Sequence, residues 1–284
     1  LVEIIHATAP RLEVVVSTIG YVGALAGIHQ YCEAGGARIV LDVEVNRDFQ
    51  FLRAACEESP VPLEVIVNPV CLSQCHFKYN HNCVAALGSQ SLLRGGVGVP
   101  YNQYYLNWCY LRKLRSESEF LKSPWVRPED LHLYEATGIS HFKIAGRGLP
   151  GPEILRLCRS YLARSFSGNL LDLLGWPHWL AFRDNGDGTR LPPLEVILDN
   201  RALDGFLDFF ARTTPACRLG CQRCGHCQAW SEKALRFSDE TLRQQYINNM
   251  DRNLRHLVEA VPTALQTEAS FAQWQQQAAR QVIK

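Results

Sequence analysis

The sequence predicts an α/β fold built around a parallel sheet. Between residues 12 and 165, short apolar runs alternate with helix-like segments at about 25-residue spacing, and this alternation is typical of βαβ units. The runs are continuously apolar rather than alternating, as expected for strands covered on both faces. After Gly168 the alternation fades. We therefore expect a strand-bearing part at residues 1–175 and, at 176–284, a connector, a cysteine-rich segment and C-terminal helices.

Each element follows from local signals along the chain. Apolar and β-branched runs predict strands at 12–18, 38–43, 63–68 and 141–144. Helical spacing and end signals predict helices at 21–34, 46–58, 104–114, 128–138 and 152–165. Asn46 is the expected N-cap of the second of these helices. Residues 230–260 have the apolar period of one long amphipathic helix.

Composition narrows the expected location and partners. The 284 residues are 47% hydrophobic and 20% charged, which is ordinary for a folded soluble protein. A formal net charge of +1 argues against a broad basic surface, so nucleic acid is not the expected partner. No apolar run is long enough to span a membrane, and the first residues lack a signal-peptide layout. Eleven cysteines without such a signal predict a cytoplasmic protein whose clustered thiols bind metal.

The densest group of cysteines lies in the second half of the chain. Cys217, Cys221, Cys224 and Cys227 follow the pattern C-x3-C-x2-C-x2-C, which can place four thiolates around one small object. Zinc takes four tetrahedral thiolates, and a 4Fe–4S cluster takes the same number at its corners. The contiguous run favours the cluster, with structural Zn²⁺ or unliganded thiols as alternatives. His226 lies inside the run, but four cysteines make it unnecessary as a ligand.

An earlier group of cysteines follows the third predicted strand. Cys71, Cys75 and Cys83 have the spacing C-x3-C-x7-C, and Cys109 in the next structured segment is a plausible fourth ligand. Ligands of parallel α/β sheets bind at the carboxyl ends of the strands, where this segment begins. The group therefore predicts a second cofactor site. The alternative is a loop of buried thiols without metal.

Polar side chains end, or nearly end, each predicted strand. They are Ser17, Thr18, Asp42, Asn68 and Lys143. Because parallel strands deliver their carboxyl ends to one edge of a sheet, such residues would line a common pocket. Lys143 and Arg147 flank Gly146, and this basic pair could hold a carboxylate.

Four segments together resemble the U32 peptidase-like family. They are VVVST at residues 14–18, GARIVL at 36–41, LEVIVN at 63–68 followed by Cys71, and FKIAGR at 142–147. The resemblance implies a TIM-like (β/α) barrel that lacks its first βα units here, with the cysteine-rich helical segment as a C-terminal extension. It also implies an iron–sulfur cluster. Better-understood members of the family look like oxygen-independent hydroxylation or RNA-modification proteins, some of which draw the hydroxyl group from prephenate rather than from O₂.

The resemblance also implies which cysteines hold the cluster. Cys71 and Cys75 match the place of the family's first cysteine pair, at a shorter spacing, and Cys109 matches part of the second pair. Cys83 or a member of the later run completes the set in this interpretation. The expected cofactors are one or two 4Fe–4S clusters, with Zn²⁺ as the alternative at the C-terminal run.

The leading hypothesis is an iron–sulfur-dependent enzyme that modifies a small organic substrate by oxygen-independent hydroxylation or related redox chemistry. Lys143 and Arg147 would bind an anionic group of that substrate, and Asp42 or His76 would transfer protons. Two alternatives stay open. One is a metal-dependent peptidase, as the family name says. The other is a non-catalytic iron–sulfur subunit that works with another U32-like subunit or an electron donor.

Overall fold

The computed structural model describes residues 1–89, 102–146, 149–176, 190–212 and 220–265. The chain forms two compact units, and each is assembled from three separate stretches. The first, called the sheet unit, contains Leu1–Gln74, Glu117–His178 and Glu195–Ser238. The second, called the helical unit, contains Cys75–Ser116, Trp179–Leu194 and Asp239–Lys284. The division into a barrel portion at 1–175 and an extension at 176–284 stays a prediction.

The sheet unit contains a parallel four-stranded sheet. Its strands are β1 (Val14–Val16), β2 (Gly36–Val40), β3 (Leu63–Ile66) and β4 (His141–Lys143), and they lie side by side in chain order. Each overlaps a predicted run, so the α/β class with a parallel sheet is confirmed. Among the residues that the structure describes, β1 and β4 are the edges of this sheet and do not pair with each other. Closure into a TIM-like barrel therefore stays a prediction.

Burial explains why the central strands are mostly apolar. Ile39 and Val65 are completely buried on one face of the sheet. Their neighbours Val40 and Ile66 point to the opposite face, because successive side chains of a strand alternate, and they join Val43 in a second buried cluster. Both faces of β2 and β3 are therefore covered.

Helices and a second, smaller sheet make up the rest of the regular structure. In chain order the α-helices are α1 Val2–Thr8, α2 Leu25–Glu33, α3 Phe49–Glu58, α4 Lys78–Ser89, α5 Asn102–Arg115, α6 Ser118–Lys122, α7 Leu131–Glu135, α8 Gly151–Ala163, α9 Asp208–Arg212, α10 Cys221–Cys224, α11 His226–Ala234 and α12 Glu240–Leu265. The second sheet pairs β5 (Val196–Leu198) and β6 (Leu235–Phe237) antiparallel within the sheet unit. In the described part of the chain, no helix is both long enough and apolar enough to cross a bilayer.

The prediction of a single long helix at 230–260 is wrong, because β6 interrupts that segment. Leu235 pairs with Leu198 of β5, and both side chains are buried. The chain then starts a new helix, since Asp239 Oδ1 accepts the backbone N–H of Leu242 at 2.9 Å. Strand pairing with a partner about 40 residues away overrides the local helical period, as tertiary context often does.

The sequence predicts Asn46 as the N-cap of α3, and this prediction is wrong. The cap is Asp48, whose Oδ1 accepts the backbone N–H of Phe51 at 2.9 Å. Asn46 is instead completely buried, and its Nδ2 donates to the carbonyl oxygens of Ile66 and Pro124, both at 2.8 Å. This amide therefore joins the end of β3 to a much later stretch of the sheet unit.

Alanine substitutions compare the helix cap at Asp48 with the buried amide of Asn46. We expect Asp48→Ala to lower the free energy of unfolding by about 1 kcal/mol, the usual cost of a lost N-cap. Asn46→Ala removes the donor from two carbonyl oxygens in the core and is expected to cost about 2–3 kcal/mol. Urea denaturation of both variants beside the native chain measures the difference. Equal losses would show that the Asn46 amide adds nothing beyond an ordinary cap.

Candidate functional site

Three cysteines of the C-terminal run line one cavity in the sheet unit. Gly225 separates α10 from α11 with a φ of 64°, a left-handed conformation that suits glycine. This turn brings Cys221, Cys224 and Cys227 to a cavity of about 280 Å³. The sequence spacing thus has a local structural cause, since two short helices joined by a glycine turn direct three thiols to the same space.

The cavity has the donor chemistry of a metal site. Thiolates are the ligands that zinc and iron–sulfur clusters take in proteins. Cys217, the fourth predicted ligand, lies outside the described residues. Within the described ranges no group of three or more His, Cys, Asp or Glu side chains is arranged to hold a metal ion. The three thiols therefore share a cavity without a finished ligand geometry, and their role as metal ligands stays a prediction.

His226 lies between the cysteines in the sequence, but its ring contacts aromatic residues and a backbone carbonyl oxygen. Its ring stacks on Phe209 and Phe206, with centroids 4.1 Å and 5.0 Å apart. Its Nε2 lies 3.0 Å from the carbonyl oxygen of Phe206, in hydrogen-bond contact. Burial, with a smaller contribution from the charge of Arg47, lowers the pKa of His226. These contacts support a structural role for the imidazole beside the thiols.

A buried arginine supports the aromatic side of this cavity. The Arg47 guanidinium lies 4.6 Å from the Trp125 ring and 5.0 Å from the rings of Phe206 and Phe210. It also donates to the carbonyl oxygen of Ser123 at 2.8 Å. Such cation–π contacts are worth about 2 kcal/mol when desolvated. No local pattern marks Arg47 in the sequence, because its partners are distant along the chain.

Polar residues also occupy the carboxyl ends of β1 and β2. Thr18 Oγ1 donates to the carbonyl oxygen of Leu41 at 3.1 Å, which ties the two strand ends together. Asp42 is buried and caps the 3-10 helix Val43–Arg47, where its Oδ1 accepts the Glu44 N–H at 3.2 Å. Asp42 therefore has a capping role here. Its predicted part in proton transfer stays a prediction.

Asn68 joins the ends of β3 and β4. Its Nδ2 donates to the carbonyl oxygen of Ala145 at 2.7 Å, and its Oδ1 accepts the N–H of the same residue at 2.8 Å. The side-chain amide thus extends the pairing of the two strands beyond their last residues. This contact holds the start of the Cys71 segment beside the chain that follows Lys143.

Lys143 shares a buried carboxylate with Arg38. Glu64 of β3 has a side chain only 10% exposed, and its oxygens lie 3.9 Å from Lys143 Nζ and 3.4 Å from Arg38 Nη1. A glutamate inside an apolar strand run was the one sequence signal for this network. Arg147, the second predicted anion ligand, lies outside the described residues. The predicted binding of an anionic group by this pair stays a prediction.

The four cysteines of the earlier group fall in both units. Cys71 is exposed in the sheet unit, where the loop after β3 is anchored by the Gln74 N–H, which donates to Glu44 Oε2 at 2.8 Å. Cys75, Cys83 and Cys109 belong to the helical unit, with the last two on α4 and α5. No helix was predicted from the sequence where α4 forms. The ligand role of these cysteines stays a prediction.

His76 belongs to an aromatic cluster of the helical unit. Its ring lies 4.8 Å from that of Trp108 in an edge-on arrangement, and Phe77 packs against Trp108 at 4.9 Å. His81 of α4 stacks on Tyr105 of α5 at 5.6 Å. The cluster fastens α4 to α5. A catalytic role for His76 stays a prediction.

Burial of His81 makes the stability of the helical unit depend on pH. Burial lowers the pKa of His81, so the folded chain binds this proton less readily than the unfolded chain. Acidification through about pH 6.5 and below, down to the folded pKa, therefore destabilises the fold, by at most about 1.4 kcal/mol per pH unit. His81→Phe keeps the stacking and should flatten this part of the profile. Urea denaturation between pH 5 and 8 measures the slope, and an unchanged slope in the variant contradicts the assignment.

The chain is related to an archaeal protein. It is 31% identical over 226 residues to "Uncharacterized protease MJ1657" of Methanocaldococcus jannaschii. The aligned region covers 79% of this chain and 61% of that protein, so the chain spans less than two thirds of the relative's length. No protein-family profile matches the chain, and no solved structure does. The similarity extends far beyond the cysteine motifs.

Proposed function

We propose that this protein is an iron–sulfur-dependent enzyme of the U32 peptidase-like family that performs oxygen-independent hydroxylation or related redox modification of an organic substrate. The observation that carries the proposal is the gathering of Cys221, Cys224 and Cys227 around one cavity. The exposed Cys71 directly after β3 adds to it. The protease name of the archaeal relative supports the family in general.

The strand order supports a TIM-like barrel portion. The four parallel strands lie in chain order, as neighbouring strands of a (β/α) barrel do. Doubly wound sheets instead reverse their strand order at a switch point, where their ligands bind. We propose that β1 to β4 are consecutive strands of such a barrel, with its working site at their carboxyl ends.

Each predicted site residue has a place in this proposal. Cys71, Cys75, Cys83 and Cys109 would hold the working cluster, which supplies electron transfer when bound. Cys217 and the three cavity cysteines would hold a second cluster or Zn²⁺. Lys143 and Arg147 would bind an anionic group of the substrate, and Asp42 or His76 would move protons. We place the protein in the cytoplasm, where its thiols stay reduced.

Metal analysis of oxygen-free protein tests the proposal. The chain is purified anaerobically, and iron, acid-labile sulfide and zinc are quantified together with a visible spectrum. We expect about four irons and four sulfides per chain for one cluster, and about eight of each for two. A protein that contains zinc but no sulfide would exclude the proposed redox function. A colourless protein without iron would exclude it as well.

A metal-dependent peptidase is the second candidate, suggested by the name of the archaeal relative. A peptide panel incubated with the protein in the presence and absence of chelator tests it. Metal-dependent cleavage that Cys71→Ala abolishes would favour the peptidase. Cleavage that resists the chelator would point to a contaminating protease.

A further inference from the structure

One face of the parallel sheet carries a cluster of three charged side chains. The strand register places Val40 beside Glu64, and Ile66 beside Lys143. Side chains two residues apart along a strand lie on the same face, so Arg38 shares a face with Val40, and Glu64 shares one with Ile66. Arg38 of β2, Glu64 of β3 and Lys143 of β4 therefore lie on one face of three neighbouring strands.

This face is open to solvent where the two cations lie. The side chains of Arg38 and Lys143 are 36% and 40% exposed. Val15 of the edge strand β1, which is the register partner of Arg38, is 44% exposed. On the opposite face Ile39 and Val65 are completely buried. A small molecule in solution can therefore reach both cations from this side of the sheet.

Both cations keep hydrogen-bond donors for another partner. Glu64 Oε2 accepts from Arg38 Nη1 at 3.4 Å, whereas Glu64 Oε1 lies 3.9 Å from Lys143 Nζ, beyond hydrogen-bond range. In the part of the chain that the structure describes, the Lys143 ammonium group makes this ionic contact and donates no hydrogen bond. A guanidinium has five N–H donors and an ammonium has three, so most of these donors stay available to a ligand.

The charges of the cluster favour a ligand with a single negative charge. Arg38 and Lys143 face the one carboxylate of Glu64, so one positive charge is in excess. A carboxylate on a bound ligand would balance it. A phosphate monoester carries nearly two negative charges at neutral pH, and its second charge would lie beside the buried Glu64. Repulsion between these like charges therefore disfavours the phosphate.

We propose that Arg38 and Lys143 bind one carboxylate group of a small organic molecule, and that Glu64 restricts this site to a single negative charge. The planar guanidinium of Arg38 can donate two parallel hydrogen bonds to a carboxylate, and the ammonium of Lys143 adds a point charge. The proposal rests on the proposed function in assigning this carboxylate to the substrate. It adds Arg38 and Glu64 to the residues that would recognise the anionic group.

Binding of two matched probes to the full chain tests the proposal. Benzoate and phenyl phosphate share one ring and differ in their anionic group, and ligand-observed NMR at constant ionic strength gives both dissociation constants. We expect the native chain to bind benzoate more tightly than phenyl phosphate. Arg38→Met and Lys143→Met should each weaken benzoate binding about tenfold or more, as loss of a hydrogen bond to a charged group does. Arg53→Met is the matched control, because Arg53 is exposed on α3 of the same unit, and it should leave both constants unchanged.

Substitution of Glu64 tests the specificity for charge. Glu64→Gln keeps the shape of the side chain and removes its negative charge, so phenyl phosphate should gain at least about fivefold relative to benzoate. Glu64→Asp keeps the charge and should keep the native preference. The ratio of the two dissociation constants does not depend on the fraction of protein that is folded, so a loss of stability in either variant leaves it unchanged. An unchanged ratio in Glu64→Gln rejects the role of Glu64.

Other outcomes decide between the carboxylate site and the proposed function. Native protein that binds phenyl phosphate more tightly than benzoate overturns the proposal, and so does native benzoate affinity in both Arg38→Met and Lys143→Met. Iron-loaded protein that binds neither probe rejects the carboxylate site and leaves the proposed iron–sulfur enzyme standing. Anaerobically purified protein without iron that binds benzoate with the expected preference rejects the proposed function and retains the site.

Discussion

Cys224→Ala is expected to remove the proposed C-terminal metal centre from the protein. Loss of one thiolate leaves an incomplete ligand set at the C-terminal run, and structural centres of this kind depend on all four ligands. If the centre is a 4Fe–4S cluster, iron should fall by about four per chain. If it is zinc, about one zinc per chain should disappear. Elemental analysis of anaerobically purified variants measures either change.

Two other cysteine variants test whether the loss of metal is specific to the C-terminal run. Cys32→Ala is the control, because burial and then the charge of Glu33 raise the pKa of Cys32, and a protonated thiol is a poor ligand. We expect its metal content to equal that of the native chain. Cys71→Ala should remove iron from the proposed centre at the earlier cysteine group and leave the proposed C-terminal centre loaded. If Cys224→Ala keeps its full metal content, the C-terminal run holds no metal.

Arg127→Met is expected to cause the largest loss of stability, about 3–5 kcal/mol. Arg127 is almost completely buried and forms a two-pronged contact with Asp130, at 2.7 Å and 2.9 Å. It also donates to the carbonyl oxygen of Asn200 at 2.7 Å and to Asp204 at 2.8 Å. Burial alone would lower the pKa of Arg127, but these acidic partners outweigh it and raise the pKa. Methionine would leave the buried Asp130 carboxylate without its countercharge.

The matched control is another two-pronged arginine pair. Arg164 contacts Glu135 through both terminal nitrogens, but the two side chains are 50% and 37% exposed. Arg164→Met should therefore cost much less stability than Arg127→Met, because water screens an exposed ion pair. Urea denaturation of both variants compares the losses. A small loss in Arg127→Met would mean that Asp130 finds water or another donor.

Local sequence signals predicted the parallel sheet well. Apolar runs mark β2 and β3 because both strands bury consecutive apolar residues. The edge strands β1 and β4 also overlap their predicted runs, although they are only partly buried. The turn that gathers three cysteine thiols is similarly local, since Gly225 lies between them. These are the parts of the fold and the candidate site that could be read from the chain alone.

The parts that could not be predicted depend on distant partners. β6 replaces a helical turn because β5 offers it a partner far upstream. The environment of Arg47 is built by aromatic residues from two later stretches of the chain. Lys122 lines the same cavity as the cysteines because α6 packs against α11. No window of neighbouring residues contains both members of such a pair, so spacing and propensity carry no information about them.

The assembly of the helical unit from three separate stretches sets the order in which it can be completed. α5 needs α12, since Arg115 pairs with Asp251 at 2.9 Å and Arg243 donates to the carbonyl oxygen of Leu114 at 2.8 Å. On the ribosome, α12 emerges roughly 120 residues after α5, which at about 5–20 residues per second is a wait on the order of ten seconds. During this interval the aromatic cluster that joins α4 to α5 lacks the contacts of α5 with α12. Nascent chains of this protein are therefore expected to engage holding chaperones before synthesis ends.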